Sequence, residues 1–253
     1  MLRPDSIVRL AVMAPVLAAC IVGFRHVRLT HSQGRPAGAI PASAGATGTV
    51  RVDATGTRVL VPVPPGFAAL DPFRPDHARL WYSLSPRMPG CRVLATLVPA
   101  TMIAADGALT TEAAPARVAF VGVPHALDDM PFDGGDFRVI RRRLRGPSDW
   151  PAAEDPAGTG PNAERVPPVR LGELMPAAAR DHDVDHDDAD EFRTLTAWDG
   201  GAASIGVVHT GSRVLAVAAV ASLAAGESSS DLSAWCRDTG RWLHRSLRAA
   251  PTD

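Results

Sequence analysis

Apolar and polar residues alternate over residues 49–52 and 57–63, and Ala54, Thr55 and Gly56 between them supply a turn. The pattern predicts an opening β-hairpin, which Pro62, Pro64 and Pro65 end. Pro75 then heads Asp76 to Trp81 and predicts a short helix as far as Ser83, because proline suits a first helical turn and cannot continue a strand interior. Residues 92–98 and 117–123 are β-branched apolar runs of strand length, and each predicts a strand. Residues 136–145 read as a helix with Phe137, Ile140 and Leu144 on one face. Over 146–168 prolines, glycines and isolated charges follow no period, which predicts a surface loop.

The last third has the clearest pattern. Three β runs, 192–198, 202–210 and 213–221, are separated by Asp199-Gly200-Gly201 and Gly211-Ser212, the spacing of an antiparallel meander. Ser228, Ser229, Ser230 and Asp231 offer N-caps for a final helix. Leu232, Trp235, Cys236, Trp242, Leu243 and Leu247 recur there at three- and four-residue steps, so one apolar face should dock on the sheet. At that spacing the tryptophans read as core residues. Gly240 in the middle suggests close packing. The expected fold class is α+β, a largely antiparallel sheet with a C-terminal meander, covered by helices.

Ahead of this domain, residues 1–24 place Arg3 and Arg9 before an apolar run that passes through Leu17-Ala18-Ala19-Cys20. This is the pattern of an export signal closing on a lipid-attachment box at Cys20. The apolar stretch 10–24 would span about 22 Å as a helix, short of the ~30 Å hydrocarbon core, which favours a cleaved or lipidated signal over a stable span. Ile21 to Phe24 prolong the apolar run past the cysteine, and Arg25 and Arg28 follow, so an uncleaved anchor stays open as an alternative. Residues 25–48 are rich in Ala, Gly, Ser and Pro and read as a flexible tether with a reach of about 25–30 Å. Residues 49–253 then form a single α+β domain. The expected location is the periplasm or the membrane-anchored cell envelope, with the membrane engaged through the N-terminus.

Composition narrows the chemistry. All 26 basic residues are arginine, which excludes Schiff-base catalysis and the phosphate-binding lysine of a Walker loop. A net charge of −1 argues against a nucleic-acid partner. Charge is segregated locally instead: residues 138–145 carry five arginines, and residues 181–191 carry seven acids and no base.

The segment Val61 to Phe67, which follows the hairpin and precedes a helix, resembles the opening of PsbP/Mog1-like domains. The sequence of later strands and a closing helix also resembles exported bacterial proteins of unknown function. The resemblance implies an antiparallel sheet between helices. It carries over no catalytic residue, because that architecture has no shared catalytic set.

The candidate sites are few. Asp181, His182, Asp183, Asp185 and His186 interleave imidazoles with carboxylates and could hold a divalent metal such as zinc or copper; the competing reading is a solvated acidic loop. A calcium loop fails, since His186 stands where a glycine should make the turn and Phe192 where a glutamate should close the cage. Arg138, Arg141, Arg142, Arg143 and Arg145 make a basic amphipathic helix, suited to anionic lipid or simply to solvent. Ser204 and His209 are the raw material of a hydrolase, but Gly201 to Gly206 is one residue too long for a nucleophile elbow. Once Cys20 is lipidated or removed, Cys91 and Cys236 are left as an even pair, and a disulfide between them would contribute about 4 kcal/mol. Two buried thiols are the alternative. The sequence points to an exported, envelope-anchored accessory or binding protein without catalytic function, acting on an unknown protein partner. The alternatives are a periplasmic metal-binding protein using loop 181–191, and a hydrolase with a non-local site.

Overall fold

The computed structural model describes residues 48–128, 130–145, 174, 183–224 and 226–250. Cys20, the tether, the stretch 146–168, Asp181 and His182 lie outside the described residues. The hairpin forms as expected from β1 (Thr49–Ala54) and β2 (Thr57–Pro62), paired in register from Thr49 opposite Pro62 to Ala54 opposite Thr57. Its turn places both Thr55 and Gly56 at positive φ, the backbone that a two-residue hairpin turn requires. Thr55 tolerates this because its hydroxyl bonds Asp128 and accepts from Arg92, and its carbonyl accepts from Arg213 at 2.6 Å. The same bonds tie the hairpin to the main sheet.

That sheet has seven strands, all antiparallel. After β3 (Phe67–Ala69) the chain makes α1 (Pro75–Leu84), then β4 (Cys91–Pro99) and β5 (Arg117–Pro124), then α2 (Gly134–Arg145). It continues with β6 (Asp183–Asp187), the meander β7 (Glu191–Trp198), β8 (Gly201–Thr210) and β9 (Arg213–Ser222), and ends in α3 (Ser229–Ala249). The spatial order is β3-β4-β5-β9-β8-β7-β6. Strands β5, β9 and β8 are central and almost wholly buried, which is why they read as continuous apolar runs rather than alternating ones. The fold is α+β, as the sequence predicts.

Each face of the sheet carries its own core. On one side Leu80, Trp81 and Leu84 of α1 and Phe137, Ile140 and Leu144 of α2 pack with Phe120, Phe192, Ile205 and Ala218. On the other, Leu243 and Leu247 of α3 join Val59 and Val61 of the hairpin over Leu97, Val121, Val208 and Val217. Ser228 caps α3, accepting from the backbone of Asp231 while Asp231 bonds back to the Ser228 backbone, a reciprocal capping box.

Four expectations need correction. The sequence carries no signal for strands β3 and β6, because three residues and a run of charges give no strand period. The acidic stretch is therefore not a loop: residues 183–187 are the edge strand of the sheet, and charge is a common way to guard such an edge. No disulfide joins Cys91 and Cys236, for both are free, buried thiols. Cys91 packs with the α1/α2 core and Cys236 with Ala202, Ala221 and Leu232 on the other face, so the sheet separates them. Finally, Trp235 and Trp242 are only half-buried, while His244 and Thr239 of the same helix are buried. Trp235 stacks on Phe67 with centroids 5.8 Å apart and receives the Arg117 guanidinium over its ring at 5.4 Å.

Candidate functional site

The packing of Val208 with Leu243 and Leu247 fixes which face of β8 looks at α3. By alternation Ser204 and Gly206 share that face, and so do their β7 partners: Glu191 lies opposite Val208, Arg193 opposite Gly206, Leu195 opposite Ser204. Strand β6 slips register between Val184 and His186, so that Asp185 is the bulged residue. A bulge re-aims side chains. Here Asp185 is brought to Arg193 and to Arg237 of α3, while Asp187 on the other face meets Arg141 of α2, whose Nε is 3.1 Å from its Oδ1.

The result is a cluster of ionisable groups between the β6–β7 edge and α3. Arg193 is only 2% exposed. Its Nε donates to Asp185 Oδ2 at 2.7 Å and its Nη1 to Glu191 Oε1 at 2.7 Å. Arg237 Nε donates to Asp185 Oδ1 at 3.2 Å. Arg248, near the end of α3, holds Asp188 at 3.0 Å and Asp190 at 3.1 Å, with Glu191 Oε2 4.0 Å away. His186 Nε2 lies 3.2 Å from Asp188 Oδ2. Arginine suits this work, since its planar fork holds two carboxylates at once and never loses its charge.

Electrostatics follow from burial and neighbours. Burial alone would raise Asp188, but the Asp190 backbone N–H, His186 and Arg248 outweigh it and bring its carboxyl down to about 2. Glu191 goes the other way: burial, aided by the charge of Asp188, raises it against the pull of Arg193, His186 and Arg248. His244 sits at the bottom of the cluster with 0% exposure. Burial first, then the positive charges of Arg193 and Arg248 among its neighbours, push it down to about 3, so its ring is neutral at ordinary pH. Its Nδ1 is 3.3 Å from Glu191 Oε1, yet out of line for a hydrogen bond, and neither ring nitrogen has a hydrogen-bond partner among the described residues. Leaving such a group unpaired costs about 1–3 kcal/mol.

Of the metal ligands expected from sequence, Asp183 is exposed on β6, Asp185 is held between two guanidiniums, and His186 lies beside carboxylates that Arg248 and Arg193 also hold. The structure groups it with Asp188 and Glu191, whose ligand atoms and that of His186 all lie within 4.8 Å of one another. Arg193, Arg248 and His244 are the members that sequence reasoning missed. His244 had a signal, for Leu232, Cys236, Gly240 and His244 recur at steps of four and so share a helical face. The hydrolase pair does not assemble: Ser204 faces α3, whereas His209, an odd number of positions along the same strand, faces the other side, where it stacks on Phe137 and bonds the Phe132 carbonyl at 3.1 Å. The thiols are held inert, burial pushing both Cys91 and Cys236 up to about 12. No family model, no curated protein and no solved structure matches this chain.

Proposed function

We propose that this chain is an exported, envelope-tethered accessory domain that works by binding a partner protein rather than by catalysis. The N-terminal Arg3, Arg9 and Leu17 to Cys20 pattern supports the export part of the reading, with the membrane engaged through that end. The geometry supports one limited part of the reading: Ser204 and His209 stand on opposite faces of the sheet and do not form a nucleophile and base pair. The test is cell fractionation combined with a broad esterase and peptidase screen of the full chain. Recovery with the envelope and no hydrolysis dependent on Ser204 are expected. A cytosolic location, or turnover that Ser204→Ala abolishes, overturns the reading. Fatty-acid labelling of wild type against Cys20→Ala separates a lipidated from an unlipidated N-terminus; equal labelling of the two rejects the lipid.

A further inference from the structure

We infer that His186, Asp188, Glu191 and His244 form a site for a divalent transition-metal cation of the zinc type, with Arg248 seated on its carboxylates whenever the metal is not bound. The site stands whether or not the chain is exported. It differs from the set that the sequence suggested, sharing only His186 with it.

Two independent observations converge on it. The ligand atoms of His186, Asp188 and Glu191 lie within 4.8 Å of one another at the open side of the cluster. From the buried side comes His244, whose Nδ1 is 3.3 Å from Glu191 Oε1 and whose two ring nitrogens bond nothing among the described residues. Buried polar groups are nearly always paired, and an unpaired neutral imidazole presents a lone pair that a borderline-soft cation takes. Two imidazoles with two carboxylates favour zinc and its neighbours over calcium or magnesium, which prefer oxygen alone.

Zinc holds its ligands at about 2.0–2.2 Å, so His186 and Asp188, whose ligand atoms lie within 4.8 Å of that of Glu191, must close toward Glu191 and His244. His186 is exposed and Asp188 half-buried, so both can move, and His244 and Glu191 are the fixed floor. Arg248 is the obstacle. Its Nη1 already sits 3.0 Å from Asp188 Oδ2 and 4.0 Å from Glu191 Oε2, and a metal must take those oxygens from it. Its side chain is 37% exposed at the end of a helix, so it can swing into solvent when displaced. An acidic cluster without a metal function would bind cations no differently once its imidazoles are removed, whereas a site of this ligand set loses affinity with each imidazole.

The test is calorimetric titration of the purified full chain with zinc. One zinc per chain is expected, with binding weakened at least tenfold by His186→Ala and by His244→Gln, tightened several-fold by Arg248→Ala, and unchanged by Asp183→Asn. Absence of a stoichiometric site in the wild-type chain overturns the inference, as does equal affinity in wild type and His186→Ala. Should His244→Gln fail to fold, X-ray absorption of the zinc-loaded wild type reads the ligands directly. Two imidazoles in the first shell support the assignment, and one or none overturns the role of His244.

Discussion

Gly240 of α3 lies against Ser204 of β8 so closely that a Cβ added at 240 would stand 2.5 Å from the Ser204 hydroxyl. Four residues on, His244 meets Gly206 in the reverse sense: a Cβ at 206 would approach the His244 ring at 3.0 Å and collide with the β7 backbone. One glycine on the helix and one on the strand let α3 settle onto the sheet, and that contact is what seals His244 and Arg193 beneath it.

Gly240→Ala is therefore expected to destabilise the protein although alanine is the better helix former. In an open helix interior the change would gain about 1 kcal/mol. Here overpacking against Ser204 and Arg193 should reverse the sign, with a net loss of about 1–3 kcal/mol in urea unfolding. Because the Ser204 hydroxyl is buried without a hydrogen-bond partner among the described residues, Ser204→Ala alone should be neutral or slightly stabilising, and it should recover part of the Gly240→Ala loss. An unchanged or raised midpoint in Gly240→Ala would mean that the helix lifts off the sheet at no cost.

The two arginines nearest Glu191 should differ sharply. Arg193→Met leaves Asp185 and Glu191 buried without their shared cation, a loss on the order of 3–5 kcal/mol. Arg248 is a third exposed and bonds carboxylates that are open to water, so Arg248→Ala should cost no more than about 1 kcal/mol. Chemical unfolding of both variants in chelator-treated buffer measures the difference. Similar losses would show that the cluster is not graded by burial.

What the sequence could say about this region, and what it could not, follows from the kind of information each contact needs. The meander and α3 were legible because their signals are local: glycine turns between apolar runs, a serine cap, a four-residue apolar step. Strand β6 was not, since Asp183 to Asp187 has no apolar period, and it is a strand only because Glu191 to Leu195 runs beside it. The acids were legible as a cluster but not their partners, for Arg193, Arg237 and Arg248 come from β7 and from both halves of α3. The disulfide expectation failed on topology: nothing in the positions of two cysteines says that a sheet runs between them.

Reactivity of those cysteines gives a direct check. Both thiols are buried and pushed up to about 12, so almost none of either is thiolate at neutral pH, and thiolate is the reactive form. A purified chain free of Cys20 should react with a thiol reagent only as fast as it unfolds, and then show two free thiols. Its mobility on a gel should be the same with and without reductant. Rapid native labelling of either cysteine, or a reductant-dependent shift, would contradict the packing of Cys91 and Cys236 on opposite faces.

Acid should loosen this protein through His244. In the native state the ring ionises only near 3, whereas in the unfolded chain it ionises at about 6.5. Between those values the unfolded chain takes up a proton that the native state refuses, so the native state loses stability as the pH falls through that window. At about pH 4.5 the loss attributable to this one group is about 2–3 kcal/mol relative to neutral pH. Two neighbours act elsewhere or oppositely. Asp188, held down to about 2, adds its loss only below about 4, where unfolded aspartates take up protons, and Glu191, raised by burial, favours the native state as it protonates. His244→Gln removes the ring that must stay neutral and keeps a polar side chain. Its unfolding free energy should change far less than that of the wild type between pH 7 and about 4.5, so the two curves converge on acidification. Parallel curves over that range would show that His244 is not the group whose burial sets the acid sensitivity.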